Sequence, residues 1–438
     1  MSDTLAEPTE ETAFIDLHKK FVEGKKTGSA LLPIQEAALS RFETLGFPHS
    51  KHEMYTYVNT RKLVAIPFGI SSASANITLE NISDHIYAGC EKSCLVFVNG
   101  VFDASLSRLD NIASSVKISS LEEAVSDHSE CLLTSIENEN DVFACLANAF
   151  CVDGTVIEIG EKTQVPATLQ VLFVSTGDTS SPLMHSSRLI WKVGKLAEVK
   201  VIEKFVGVQA GYFINTVQDW MISEGAGVKY TQVQADPFDA WNFSKTRVHL
   251  DRNARFHAAN SCSGTVLVRN HFEARLKEEG AELILNGVSV LGGKEQVHNF
   301  IRVHHEAPQC VSHQHFKNVV NDEARSSFDG TVIVNQGAQL TNSNQLINNL
   351  MLSNNGHADT KPNLMIFADD VKCTHGATIG QIDEEQMFYL QTRGLSEKFA
   401  KELLTRGFAE SIIQTIEFPE VVKELKNTLL KKLEASNV

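Results

Sequence analysis

A chain of 438 residues carrying a formal charge of −15 at pH 7, from 39 Lys and Arg against 54 Asp and Glu, has room for about three domains at ~150 residues each. The acidic balance argues against nucleic-acid phosphate as its main partner, and 42% hydrophobic with 21% charged residues excludes wholesale disorder. Met1 to Glu11 is polar and acidic, without the basic and apolar stretches of a signal peptide, and no run is apolar enough to span a bilayer; secretion and membrane insertion are not expected. Eight cysteines, at 90, 94, 131, 145, 151, 262, 310 and 373, are too sparse and irregular for a disulfide framework, so reduced thiols in a cytoplasm are expected, most of them as small core residues.

Along the chain the texture divides it into residues 1–153, 154–382 and 383–438. In the first part, apolar residues at helical spacing predict helices over Thr12 to Val22 and Pro33 to Leu45, the second with Pro33 in its first turn and Gly46 as its stop. Cys94 to Phe102 reads as a hairpin around Asn99-Gly100, and helices are expected at Ser120 to Ser126 and Asn140 to Phe150. From Thr155 to about Gly380, β-branched and apolar runs of four to seven residues recur between Gly, Asn, Asp and Ser, as in Thr265-Val266-Leu267-Val268 and Thr331-Val332-Ile333-Val334. A sandwich, a propeller and a β-solenoid all fit so many short strands. Small residues ahead of many strands (Gly225-Ala226, Gly280-Ala281, Gly337-Ala338) and the Asn-rich run from Asn342 to Asn355 favour the solenoid, in which corners stack on corners, although no strict period is visible. After Gly380 three helices are predicted: one capped by Asp383 and ended by Gly394, one from Ser396 to Arg406 stopped by Gly407, and one from Pro419 to Leu433 with an apolar stripe of Val422, Leu425, Leu429 and Leu433.

No nucleotide-binding loop, HExxH or GxSxG signature is present, so an ATP site is not expected. Soft metal ligands concentrate in two places: His304, His305, Cys310, His313 and His315, and the pair Cys373 and His375. The period of a strand puts His313 with His315, and Cys373 with His375, on one face each, where imidazole and thiolate suit zinc, copper or iron. With sixteen histidines in the chain, a strand pair is more often solvated or hydrogen-bonded than metal-bound, and only geometry separates the two.

The segment Lys361-Pro362-Asn363-Leu364-Met365-Ile366-Phe367-Ala368-Asp369-Asp370-Val371-Lys372-Cys373-Thr374-His375-Gly376-Ala377-Thr378-Ile379-Gly380, followed by Phe388-Tyr389-Leu390 and Arg393-Gly394, closely resembles the signature of the SufB/SufD family of the SUF iron–sulfur cluster assembly system. Its Cys-x-His-Gly-Ala-Thr form looks like the SufD branch. Asn348 to Ser353, His305 to Lys317, Glu224-Gly225-Ala226, Phe143 to Asn148, and Gly46 through Tyr57 also look familial, although Tyr55 stands where Trp is common. The likeness covers nearly the whole chain.

The resemblance implies a mainly β protein with a right-handed parallel β-helix core, flanked by an N-terminal helix-rich (α+β) domain and a C-terminal helical domain. It implies a non-catalytic scaffold subunit that pairs with a SufB-like paralogue through the β-helices and with a SufC-like ABC ATPase through helices after Gly380. Carried over, His375 matches the family's ligand for metal or a nascent iron–sulfur cluster at the shared interface, Cys373 a neighbouring thiol, and Phe388, Tyr389, Arg393, Gly394 and Phe408 the ATPase-facing region. Two alternatives stand beside it. A homodimeric SufB-type scaffold is expected to have a Glu where His375 sits. A β-helix carbohydrate-active enzyme is expected to be secreted and to cluster carboxylates on one face.

Overall fold

A computed structural model describes residues 10–23, 29–49, 52–70, 77–112, 114–209 and 211–435. From Gly154 onward successive strands alternate between two sheets. The first sheet takes Gly154–Ile159, Leu183–Val193, Tyr212–Ile222, Trp241–Leu250, Leu267–Leu276, Gln296–His305, Arg325–Val334 and His357–Ile366. The second takes Leu169–Ser175, Glu198–Gly207, Gly227–Ala235, Arg255–Cys262, Glu282–Leu291, Val311–Val320, Asn342–Met351 and Lys372–Gly380. Each strand pairs in parallel with the one two before it, so two strands and two corners make one rung of a β-helix. Antiparallel sandwich and propeller arrangements are thereby excluded. Register partners stand from 26 residues apart (Trp241 to Leu267) to 34 (Gly154 to Arg188), which is why no fixed period shows in the sequence.

The repeat lives in the corners. Leu196, Gly225, Asn253, Gly280, Gln309 and Leu340 all have positive φ, between 54° and 74°, and each stands two residues before a strand of the second sheet. That left-handed turn aims the N–H along the solenoid axis. Gly225 N donates to Arg252 O at 2.8 Å, Asn253 N to Glu279 O at 3.0 Å and Gln309 N to Gln339 O at 2.9 Å, each acceptor preceding the next left-handed residue. Glycine adopts this conformation freely, whereas at Leu196 and Leu340 the side chain opposes it and the hydrogen-bonded stack must hold it. One residue later a small side chain turns inward: Ala197, Ala226, Ala254, Ala281 and Cys310 are all buried.

Between the sheets lies a core in which like apolar residues stack. Trp191 lies parallel to Trp220 at 4.2 Å, and Phe97, Phe173 and Phe205 stack at 5.0 and 4.7 Å, contacts worth about 0.5–1.5 kcal/mol each beyond burial. Phe97 belongs to the N-terminal part. Its strand, Cys94–Val98, joins the second sheet beside Leu169–Ser175, and the expected hairpin is present, with Phe97 paired to Phe102 across Asn99-Gly100. Val116–Ser120, which carried no clear strand pattern, closes the first sheet by pairing antiparallel with Gly154–Ile159. The N-terminal end of the solenoid is thus covered by chain.

Helices Glu10–Glu23, Leu32–Leu45, Leu121–Glu137 and Val142–Ala149 gather on the outer face of the first sheet. Pro33 starts the second of these, and Gly46, at φ +62°, ends it by donating to Phe42 O. The third runs well past Ser126. After Gly380 come Glu384–Thr392, Glu397–Ile413 and Pro419–Ala435. Gly407 does not stop the middle one, because a helical glycine with open space around it weakens a helix without breaking it. The last helix lays Val421, Leu425, Leu429 and Leu433 against Ile202, Val233, Ala259, Val288 and Val319 on the outside of the second sheet. Val421 leads the stripe, one residue before the expected Val422, which sits at its edge. No described helix is long and apolar enough to cross a membrane.

Candidate functional site

Lys372–Gly380 is the last strand of the second sheet. Its register with Asn342–Met351 sets Cys373 over Ser343 and His375 over Gln345. Ser343, Gln345 and Ile347 are buried inward-facing residues, so Cys373, His375 and Ala377 continue the inner face of the solenoid, and the expectation that Cys373 and His375 share a face holds. Nothing among the described residues covers them: this strand and His357–Ile366 are the terminal strands of their sheets. His375 is exposed and Cys373 half-buried, whereas the other described cysteines are buried. Around them the cut end of the core is bare, with Ile366, Phe367 and Ile379 exposed by 39, 58 and 54%.

Burial raises the Cys373 thiol, and a hydrogen bond from the Ser343 backbone pulls it partway back. Beneath it runs a polar file. Ser343 Oγ lies 2.9 Å from Ser312 Oγ, which lies 2.8 Å from His305 Nε2. Beneath His375, Gln345 Nε2 donates to Gln314 Oε1 at 3.2 Å. Such inward-facing polar groups also occur farther along the solenoid, as in the buried network of Glu203, Gln218, Tyr230 and Gln232, so the file beneath the motif continues a feature of the whole core.

The five residues from His304 to His315 are adjacent in sequence and dispersed in space. His304 faces outward on the first sheet, His305 is inside, Cys310 is a corner thiol, and His313 and His315 face outward on the second sheet. His313 and His315 do share a face, but it is opposite to that of Cys373 and His375, and His315 Nε2 is 3.1 Å from Asn348 Oδ1. Among the described residues no three His, Cys, Asp or Glu side chains converge to hold a metal ion. Cys373 and His375 can therefore supply at most part of a coordination shell.

The family models complete the assignment. The SUF system FeS cluster assembly SufBD core domain matches residues 173–408, and the SufBD protein N-terminal region matches residues 9–171. The chain belongs to the SufB/SufD family of iron–sulfur cluster assembly proteins. It is 29% identical over 402 residues to a SufBD family protein of Synechocystis, covering 89% of this chain and 88% of that one. It is 27% identical over 412 residues to SufD of Escherichia coli, covering 93% and 94%, and 26% identical over 417 residues to a chloroplastic protein, ABCI7, of Arabidopsis thaliana, covering 91% and 86%.

On this SufBD chain the C-terminal helices divide by exposure. Glu384–Thr392 buries no residue, and its Phe388 and Tyr389 are 69 and 56% exposed, with Phe399 and Leu403 of the next helix also bare. Arg393 sits 5.1 Å from the Tyr389 ring, and Gly394, at φ +91°, ends the helix. Phe408 faces the other way, into the seam with the β-helix, under the Lys317 ammonium at 4.7 Å. Sequence reading missed a group that ties the N-terminal part to the β-helix: buried Asp141 accepts from Tyr55 Oη, Arg269 and His271 at 2.5, 2.6 and 2.6 Å. Its members lie up to 216 residues apart in the chain (Tyr55 to His271), so no local signal announces them.

Proposed function

We propose that this chain is a SufD-like scaffold subunit, which pairs with a SufB-like paralogue through the bare end of its β-helix and holds a nascent iron–sulfur cluster there with His375 and Cys373. The observation that carries the reading is the asymmetry of the solenoid, closed by chain at one end and cut open through its core at the other, with the motif residues on the open rung. A bare core and two free strand edges are a template for another β-helix end. A chain with the same fold continues both sheets and covers Ile366 and Ile379.

The chemistry agrees. Iron in a cluster takes thiolate or imidazole ligands, and two from this chain leave positions for a partner. Binding expels the thiol proton that burial otherwise holds on Cys373. An imidazole in place of a thiolate, at a site shared between chains, suits a cargo to be handed on. The exposed Phe388, Tyr389, Phe399 and Leu403 offer the docking face for a SufC-like ATPase, and the scaffold itself turns over no substrate. A reduced cytoplasmic compartment is the setting this reading expects.

Co-expression with SufB-like and SufC-like partners tests it. His375→Ala should assemble as the parent does, while iron and sulfide content and cluster absorbance after anaerobic reconstitution fall to background. Full cluster content in that variant refutes the ligand role. Failure of the parent chain to co-purify with the paralogue refutes the pairing.

A further inference from the structure

On the outer face of the first sheet, the N-terminal part and the β-helix enclose a cleft of about 970 Å³. Its floor is a neutralised ladder. Asp219, Arg247, Glu273 and Arg302 follow one another in register with alternating sign, Arg247 bonds to Asp219 and Glu139, and Arg302 bonds to Asp329 at 2.9 Å. The neighbouring register column differs: Met221, His249, Arg275, His304 and Ile333 contain no carboxylate, and Lys277 lies two residues beyond Arg275. Arg275 is held by Glu273 at 3.3 Å and Glu306 at 2.9 Å and still exposes about two-fifths of its side chain, while Lys277 forms no ion pair among the described residues.

Five cations and three carboxylates line this cleft, and Glu306 and Asp329 beside it pair with Arg275 and Arg302, so the positive charge left open to a ligand is that of Lys277 and the exposed part of Arg275. Burial, with Lys277, Arg247 and Arg275 acting against Asp219, pushes His249 down to about 4, and burial with Arg275 and Arg302 acting against Glu273 and Glu306 lowers His304, so both rings are held neutral. Its Nδ1 leaves His249 with a buried polar atom lacking a partner in the cleft. The basic centre spans about three rungs at ~4.8 Å each and has an apolar side chain at either end, Met221 and Ile333. From the N-terminal part Ser135, Asn138, Glu139 and Asn140 also line the cleft, Glu139 being paired with Lys245 and Arg247.

We propose that this cleft binds a phosphorylated small molecule, its phosphate held by Arg275 and Lys277 and its organic part lying along Met221 or Ile333. A concave wall on both sides suits a small ligand better than a protein surface, and a paired apolar and basic lining favours an organic phosphate over the free anion.

Calorimetric titration of the full chain with adenosine diphosphate, pyrophosphate and adenosine tests the assignment. Adenosine diphosphate should bind saturably and more tightly than pyrophosphate, adenosine should give no heat, and added salt should weaken both phosphates. Lys277→Glu, at an exposed position that leaves the fold intact, should raise Kd about tenfold or more, as loss of one charge-assisted contact does. His375→Ala should leave Kd unchanged, which keeps this site distinct from the cluster reading. Absence of saturable binding by adenosine diphosphate at millimolar concentration overturns the proposal, as does binding that is indifferent to both Lys277→Glu and Arg275→Gln, or pyrophosphate binding as tightly as the nucleotide.

Discussion

Asp141 shows how one residue joins two parts of the molecule. Its carboxylate caps the helix Val142–Ala149 by accepting from Phe143 N at 3.0 Å, and the same group receives Tyr55, Arg269 and His271. Burial pushes its pKa up, but Arg269 and His271 outweigh burial and hold it well below the usual carboxylate range. Arg269 in turn rests on the Tyr55 ring at 4.3 Å and is wholly enclosed. Asp141→Asn keeps the shape and removes the charge, leaving the guanidinium buried without its counter-ion. Breaking a buried pair in this way costs about 3–5 kcal/mol. Urea unfolding should show a loss of that size, and a change below about 1 kcal/mol would mean that Arg269 finds another partner.

Among elements, exposure sorts the apolar residues of the C-terminal helices into two tasks. Leu429 is sealed against the second sheet, so Leu429→Ala should cost about 2–5 kcal/mol. Phe388→Ala and Tyr389→Ala remove largely exposed side chains, Tyr389 losing a solvent-facing contact with Arg393, and should shift stability by less than about 0.5 kcal/mol. Thermal melts compare them directly. If Phe388 and Tyr389 form the ATPase-docking face, both substitutions abolish co-purification of that partner while leaving the melt unchanged. Elements were legible where local chemistry defines them: Pro33 and Gly46 bracket a helix, Asp383 caps one, and Asn99-Gly100 turns a hairpin. Val116–Ser120 was not, because its strand is created by pairing with Gly154–Ile159 and not by its own pattern. The solenoid was legible only as texture, since its repeat is a left-handed residue recurring at 27 to 31 positions (Leu196, Gly225, Asn253, Gly280, Gln309, Leu340) that four different residue types disguise. The motif residues Cys373 and His375 stood out because they sit two apart. The basic cleft did not, because Met221, His249, Arg275 and His304 meet only after successive circuits of the helix.

At the scale of the whole molecule, the β-helix buries histidines that an ordinary core excludes, and this couples its stability to pH. His185, His298 and His305 are almost completely enclosed, each hydrogen-bonded as a neutral ring: to Thr176 O at 2.8 Å, Ser327 Oγ at 2.6 Å and Ser312 Oγ at 2.8 Å. Burial lowers them to about 4, about 3 and about 4, against ~6.5 in the unfolded chain. Between those values the unfolded state binds more protons than the folded one, so their stabilisation is complete above about pH 6.5 and is lost progressively as pH falls toward 4. The buried carboxyls Glu203 and Asp236 are raised by burial and oppose this slope, and depressed Asp141 and Asp219 matter only below the histidine window. A difference measurement isolates the imidazoles. In His298→Asn one proton leaves the linkage, so the slope of unfolding free energy against pH near pH 5 should fall by about 1.4 kcal/mol per pH unit relative to the parent. Parallel slopes in urea titrations of the two proteins from pH 4.5 to 6.5 would mean that His298 is protonated inside the fold. That would require the Ser327 hydroxyl to accept from the ring, with the second ring nitrogen donating to Gln296 Oε1 at 3.3 Å.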